Sequence, residues 1–189
     1  MVTLNRITTR TGDDGTTGLS DGSRLPKDHP LIQAIGSVDE ANSVFGLLTL
    51  EQPPAVILTA VPVIQNDLFD LGADLATPPG GPYEAKIPRI TLAQVERLEA
   101  WSTAANAELP PLKSFILPGG TRAATWLHLA RTVVRRAERD VVHAEHAETA
   151  RAWNPNVRHY LNRLSDLCFV WSRFANAGQD VLWRPGGTP

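Results

Sequence analysis

Four arginines fall within nine positions of this 189-residue chain, Arg131, Arg135, Arg136 and Arg139, with Glu138 among them. A guanidinium offers several planar donors to one phosphate, so such a row suits a polyphosphate. The same row could serve ion pairs between subunits, which is the commoner fate of arginines on a helix. A second group opens the chain: Thr9, Arg10, Thr11 and Gly12, then Thr17 and Gly18, with Lys27 behind them. Glycines let backbone N–H groups approach phosphate oxygens, and threonine hydroxyls and cations add donors. No G-x-x-x-x-G-K-[ST] loop exists in the chain, and on spacing alone a flexible tail competes with the phosphate reading. A third group, His143, Glu145, His146 and Glu148, has spacing that admits a metal. It falls in a polar connector with no second ligand cluster and reads as solvated decoration, so no metal site is expected.

The first group needs an element to carry it. Phe115–Arg139 opens on Pro118-Gly119-Gly120, a turn, and Thr121 is placed to cap the helix that follows. Ala123, Leu127, Ala130, Val134, Ala137 and Val141 recur at helical spacing and form its apolar stripe. Beside that stripe His128, Arg131, Arg135 and Glu138 run at the same period. This helix is expected to end near His143, before the connector HAEHAETARAWNP.

Four more helices are expected. The first runs from about Pro30 to Leu50, with Asp28 as N-cap and Ala34, Val38, Ala41, Phe45 and Leu48 facing inward. Asp39, Asn42, Ser43 and Gly46 make a small polar row beside that stripe. Asp39 there either meets a cation, with Arg131 the candidate, or faces solvent. After Pro53-Pro54 a second helix carries Ile57, Val61, Ile64, Leu68, Leu71 and Leu75. Pro62 implies a kink or a start near it. Residues 76–90, rich in proline, form a loop long enough to be mobile or to cover a site. Thr91-x-x-Gln94 is a capping box for a third helix reaching Pro110-Pro111. A fifth helix spans about Asn156–Asn176, stopped at Gly178, with an irregular tail after it.

No run of alternating residues reads as a long strand, so the fold class is all-α, a five-helix up-and-down bundle in one domain, 1–189. Within it, 1–27 is an extended segment of loops, 28–177 the bundle and 178–189 the tail. The formal net charge of −2 gives no general attraction to nucleic acid or anionic membrane. Cys168, the one cysteine, excludes an internal disulfide and reads as a buried, inert thiol. The N-terminus lacks an apolar leader, and no later run is expected to reach membrane-spanning length. A cytoplasmic setting is expected.

Taken together, TRTGDDGTTGLSDGSRLPKD, GSVDEANSVFGLL, FILPGG…HLARTVVRRAER and YLNRLSD resemble, in order, the ATP:cob(I)alamin adenosyltransferases of the propanediol-utilisation type. The likeness runs from Ile7 to about Asn176. It implies a ferritin-like five-helix bundle assembled as a homotrimer, with sites between subunits. It implies transfer of the 5′-deoxyadenosyl group of ATP to Co(I) of a corrinoid, releasing triphosphate, with Mg²⁺ accompanying ATP.

By the same resemblance Thr9, Arg10, Thr11, Gly12, Thr17 and Gly18 fold over ATP, and Lys27 reaches its phosphates. Arg135, Arg136, Ala137, Glu138, Arg139 and Asn162 line the nucleotide. Asp39 and Arg131 match an intersubunit ion pair, and Phe115 lies against the lower face of the corrin. His128 acquires no role and is expected to be a packed or interface residue. A reductase or an adenosylcobalamin-dependent enzyme is an expected partner. The sequence departs from the family pattern at Arg10, where lysine is usual, at Ala41, where leucine is usual, and in a longer connector before Tyr160. A nucleotide- or corrinoid-binding bundle without turnover, and a purely structural bundle, are the competing readings. The retained Thr9–Gly12, Arg135 and Glu138 weigh against both.

Overall fold

The computed structural model describes residues 7–81 and 84–187. Five helices form, α1 Pro30–Thr49, α2 Ala55–Leu75, α3 Leu92–Ala107, α4 Arg122–Ala147 and α5 Pro155–Ala175. They carry the expected stripes inward: Phe45, Leu127, Val134, Leu161 and Leu164 are fully buried. Each such side chain contributes about 1.5–3 kcal/mol by leaving water. Helix α4 packs chiefly against α1 and α5, while α3 covers α5 and α2 covers α1. The helix bearing the arginine row is therefore central, with only one side left open.

Hydrogen-bonding chemistry fixes the helix ends. Thr121 Oγ1 accepts from Ala124 N–H at 3.2 Å, capping α4 as expected. Gly120 before it has φ of 112°, and a Cβ there would fall 2.1 Å from Asn176 Oδ1, so only glycine fits. Gln94 Oε1 accepts from Thr91 N–H at 2.8 Å, as the box at the start of α3 requires. Helix α5 ends in a Schellman motif: Ala177 N–H donates to Phe174 O at 3.0 Å and Gly178 N–H to Arg173 O at 2.9 Å.

Several expectations change. The N-cap of α1 is His29, whose Nδ1 accepts from Leu31 N–H at 3.2 Å, and Asp28 lies just outside. Helix α2 starts at Ala55, not near Pro62, and runs through the proline as an interior residue at the cost of the bond its missing N–H would have made. Helix α3 stops at Ala107, short of the prolines. The left-handed position after α5 is taken by Ala177 at φ 51°, one residue before Gly178.

Helix α4 continues to Ala147, so His143–Ala147 is helical and is not a connector. His143 and His146 are exposed, as the decoration reading expects, but the two glutamates are not mere decoration. Glu145 pairs with Arg158 at 2.6 Å, and Glu148 meets His29 at 3.7 Å and Arg151 at 3.8 Å. Helix α2, at 21 residues, is long and apolar enough to cross a membrane by length and composition, contrary to expectation. Its inward stripe fills the bundle core, and its buried Asp67 and Asp74 pair with Arg97 and Arg89, which marks it as a core helix.

Both terminal segments gain structure that their composition hid. A small antiparallel hairpin forms from β1 Thr16–Gly18 and β2 Arg24–Pro26, with Thr17 opposite Leu25. It is pinned to the end of α2, where Ser20 N–H donates to Ala76 O at 3.0 Å. The tail returns to the start of α4, where Ile116 and Leu182 form an antiparallel bridge. Loop 76–90 contains a 3-10 turn, Glu84–Lys86, and is fastened by Asp74, which accepts from Arg89 at 2.7 Å, Ile90 N–H at 2.9 Å and Asn154 at 2.7 Å.

Candidate active site

The open side of α4 presents the arginine row. Arg135 is exposed, and its side chain has no hydrogen bond or ion pair among the described residues. The Arg139 guanidinium donates to Arg135 O at 3.2 Å and meets no carboxylate among the described residues. Arg131 lies half-buried one turn earlier, its Nε enclosed without a partner. Arg136 is paired with Glu40 of α1. Ala137 is fully buried in the seam, backbone included, so contrary to expectation it presents no surface to a ligand.

Glu138 is oriented from across the α4–α5 groove. Asn162 Nδ2 donates to Glu138 Oε1 at 3.0 Å, Arg163 donates to Asn162 Oδ1 at 2.5 Å, and Arg163 Nε donates to Glu99 at 2.7 Å. This relay fixes which face of the Asn162 amide points to Glu138. Both remain half-buried and open to the groove. A carboxylate and an amide held beside two uncommitted guanidiniums can grip a polar ligand carrying several negative charges.

Asp39 stands on α1, exposed, with no hydrogen bond or ion pair to its carboxylate among the described residues. It borders a shallow groove with Asn42, Ser43, Gln65 and Phe69. Within one chain Asp39 and Arg131 do not pair, so the structure does not bring these two expected partners together.

The N-terminal group is brought together. Lys27 folds over Gly12, where a Cβ would meet Lys27 Nζ at 3.1 Å. Thr9 and Thr11 hydroxyls lie 3.0 Å apart, and Arg10 adopts φ of 62°, in the left-handed region. Thr17 and Gly18 form the first strand of the hairpin. Asp14 accepts from Thr16 N–H at 2.9 Å and from its hydroxyl at 2.8 Å, and these bonds hold its carboxyl below the usual carboxylate range. Arg24, which the sequence reading passed over, donates to Thr11 O at 2.6 Å and Thr16 Oγ1 at 2.8 Å. Only the hairpin register brings it to Thr11, thirteen residues away, so no local pattern could have singled it out.

Phe115 stands at the other end of α4. The N-terminal segment sits where α2 ends and α1 begins, and Glu148, just past α4, meets His29 there. At the far end Arg122, at the start of α4, pairs with Glu51, just past α1, at 2.6 Å. A 26-residue helix separates the two by about 39 Å.

Two buried groups flank the row. His128 is packed inside the chain, against Phe169, and neither ring nitrogen has a partner. Burial and the neighbouring Arg131 hold its pKa below the ordinary histidine value, with Asp180 opposing. Cys168 is fully buried, and burial pushes its thiol far above the ordinary range, which leaves it inert. Among the described residues no group of three histidine, cysteine or carboxylate side chains could hold a metal ion.

Comparison with known proteins gives this geometry a context. The cobalamin adenosyltransferase family matches residues 7–175. The corrinoid adenosyltransferase of Mycobacterium tuberculosis is 51% identical over 192 aligned residues, covering 98% of this chain and 96% of that protein. The cobalamin adenosyltransferase of Cupriavidus metallidurans is 51% identical, covering 96% and 95%. Among solved structures, a phenylalanine-to-alanine variant of the PduO-type ATP:corrinoid adenosyltransferase of Lactobacillus reuteri, complexed with cobalamin and ATP, superposes with a TM-score of 0.85. It is 36% identical, covering 95% of this chain and 99% of that one. The chain belongs to the cobalamin adenosyltransferase family.

Proposed function

We propose that this protein transfers the 5′-deoxyadenosyl group of ATP to the reduced cobalt of a corrinoid. Cobalt in the Co(I) state carries the nucleophilic electron pair. That pair forms the Co–C bond to the ribose C5′ as the C5′–O bond breaks, and the electrons of the C5′–O bond leave with triphosphate. The protein supplies no nucleophile. Its tasks are to align cobalt with C5′ and to neutralise charge building on the leaving group.

The observation that carries this reading is the uncommitted pair Arg135 and Arg139 beside the Asn162-oriented Glu138, on a chain of this family. In the proposed arrangement Arg135, Arg139 and Lys27 hold phosphate oxygens. Glu138 and Asn162 fix the nucleoside, and Thr9–Gly12 with Thr17 and Gly18 close over it. Arg136, anchored by Glu40, stiffens the wall. Phe115 lies under the corrin and keeps the lower axial position empty, which favours reduction from Co(II) to Co(I). Mg²⁺ would enter on the phosphates of ATP, and no step is assigned to it.

The two walls belong to different subunits in this proposal. Asp39 and Arg131 are both uncommitted and lie on different faces of the chain, on α1 and α4. A second copy seated with its Asp39 on Arg131 makes a heterologous contact, which closes as a ring, here a homotrimer. Phe69, 70% exposed beside Asp39, gives that contact an apolar centre. The three stretches 1–27, 28–177 and 178–189 act as nucleotide segment, bundle and tail of one domain. A cytoplasmic setting follows from the need for ATP, and a reductase or an adenosylcobalamin-dependent enzyme is the partner on either side of the reaction.

The test is direct. Mixing the protein with cobalamin, a strong reductant and Mg-ATP is expected to convert the Co(I) spectrum to that of an alkylcobalamin and release triphosphate. Absence of a Co–C bond under those conditions would leave only a binding bundle.

A further inference from the structure

The tail after α5 is placed where it bears on Phe115. Trp183 N–H donates to Phe115 O at 2.7 Å, Leu117 N–H donates to Val181 O at 2.8 Å, and Ser114 Oγ donates to Trp183 O at 3.1 Å. The Ile116–Leu182 bridge sets the register, so Phe115 and Trp183 stand side by side on the same strip. Their rings lie 6.0 Å apart at 60°, a tilted aromatic pair. Phe115 is 77% exposed, and among the described residues Trp183 is its only aromatic neighbour. The tail in turn is rooted in the bundle, because Asp180 pairs with the buried Arg173 at 2.9 Å. Residues 180–184 line a cavity of about 860 Å³ beside Leu117.

We propose that Trp183 is a positioning residue that fixes the ring of Phe115 beneath the corrin. This rests on the proposed role of Phe115 and adds the residue through which the tail acts. An exposed phenylalanine on a loop samples several rotamers, and holding one costs side-chain entropy. The backbone bonds to residues 115 and 117 fix where the Phe115 Cα sits, and the indole ring restricts where its side chain can turn. A Phe115 ring that swings away admits a lower ligand to cobalt and makes Co(II) harder to reduce. Attack by cobalt already in the Co(I) state depends on the ring much less.

The experiment compares Trp183→Ala, Trp183→Phe and Phe115→Ala in the full-length protein. Each is assayed from Co(II) with a one-electron donor such as a reduced flavin, and from cobalt pre-reduced to Co(I). The electron paramagnetic resonance spectrum of bound Co(II) reports the lower ligand. Loss of one tilted aromatic contact corresponds to about a three- to tenfold change in rate. Trp183→Ala is expected to lose about that much on the Co(II) route and under about twofold on the Co(I) route, with a spectrum shifted toward a ligated Co(II). Trp183→Phe should recover most of the loss. The backbone bonds survive all three changes, and far-ultraviolet circular dichroism checks the bundle. If Phe115→Ala depresses the Co(II) route while Trp183→Ala leaves both routes and the spectrum unchanged, the role of Trp183 is wrong and that of Phe115 stands. If Phe115→Ala leaves both routes unchanged, the reading of the corrin end fails, and this inference with it.

Discussion

Two polar regions of this bundle look alike in composition and differ in whether they are complete. At the loop end of α2, Asp74 is buried and fully engaged, taking Arg89, Ile90 N–H and Asn154. Two turns earlier on α2, Asp67 binds Gln94, Arg97 and the Tyr160 hydroxyl, and burial, with that neighbouring carboxylate, pushes the Tyr160 phenol well above its usual range. Along α4, by contrast, Arg131 Nε, Arg135 and the His128 ring nitrogens have no hydrogen-bond or ion-pair partner among the described residues, and neither does the Asp39 carboxylate on α1. Of these, Arg131 and His128 are enclosed, where an unpaired polar group is costly, so a chain that satisfies two carboxylates fully and leaves these open has a use for the row. The first region holds the fold together. In the proposed arrangement the second meets ATP, a corrinoid and a neighbouring subunit.

Substitutions sharpen that contrast. Arg135→Ala should reduce turnover by about 100- to 1,000-fold, the scale for losing one donor to a developing anion. Melting temperature should hardly move, since no contact within the chain is lost. Steady-state kinetics beside a thermal melt checks both halves, and unchanged kinetics would put the phosphate site elsewhere. Asp74→Ala should do the reverse. It leaves the buried Ile90 N–H without its acceptor and takes one from Arg89 and Asn154, which keep Glu84 and Ile90 O, costing about 1–3 kcal/mol, or roughly 5 °C in melting temperature, with turnover per folded molecule little altered. Asp39→Ala should weaken assembly without loosening the single chain. Sedimentation at falling protein concentration should show dissociation earlier than in the parent.

The buried histidine gives a pH test. Its pKa in the folded chain lies below the ordinary value near 6.5, so the unfolded chain binds the proton more readily. Its contribution to stability is therefore intact above about pH 6.5 and is lost as pH falls below that toward the folded value. His128→Leu should flatten this part of the melting-temperature profile between pH 7 and pH 5, and an unchanged slope would mean the titrating group is another. The smallest effect is expected at the end of α5. Ala177→Gly relieves the left-handed alanine and should stabilise by up to about 1 kcal/mol, read from chemical denaturation.

The helices and their inward faces were legible in the sequence because a period of 3.6 written in Ala, Leu and Val survives any context. Thr121, Gly120 and Gln94 were legible too, since caps and tight turns depend on residues a few positions apart. What escaped depends on distant pairing. HAEHAE reads as a connector until Arg158 and Arg151 arrive to neutralise Glu145 and Glu148. The N-terminal hairpin needs the end of α2 to lean on, and the tail needs the strip around Phe115. Arg24 and Trp183 matter only through those pairings. The roles of the α4 row were legible only through resemblance, because an arginine waiting for phosphate and one waiting for a carboxylate have the same spacing.

The central claim is that the open row of one subunit meets the N-terminal segment of the next. It is tested most directly by mixing two inactive variants, Arg135→Ala and Lys27→Ala, denaturing them together and refolding. If sites are shared across a heterologous ring, one contact in four joins an intact row to an intact segment, and about a quarter of the parent activity should return. If each chain carries its own complete site, the mixture will stay as inactive as its parts.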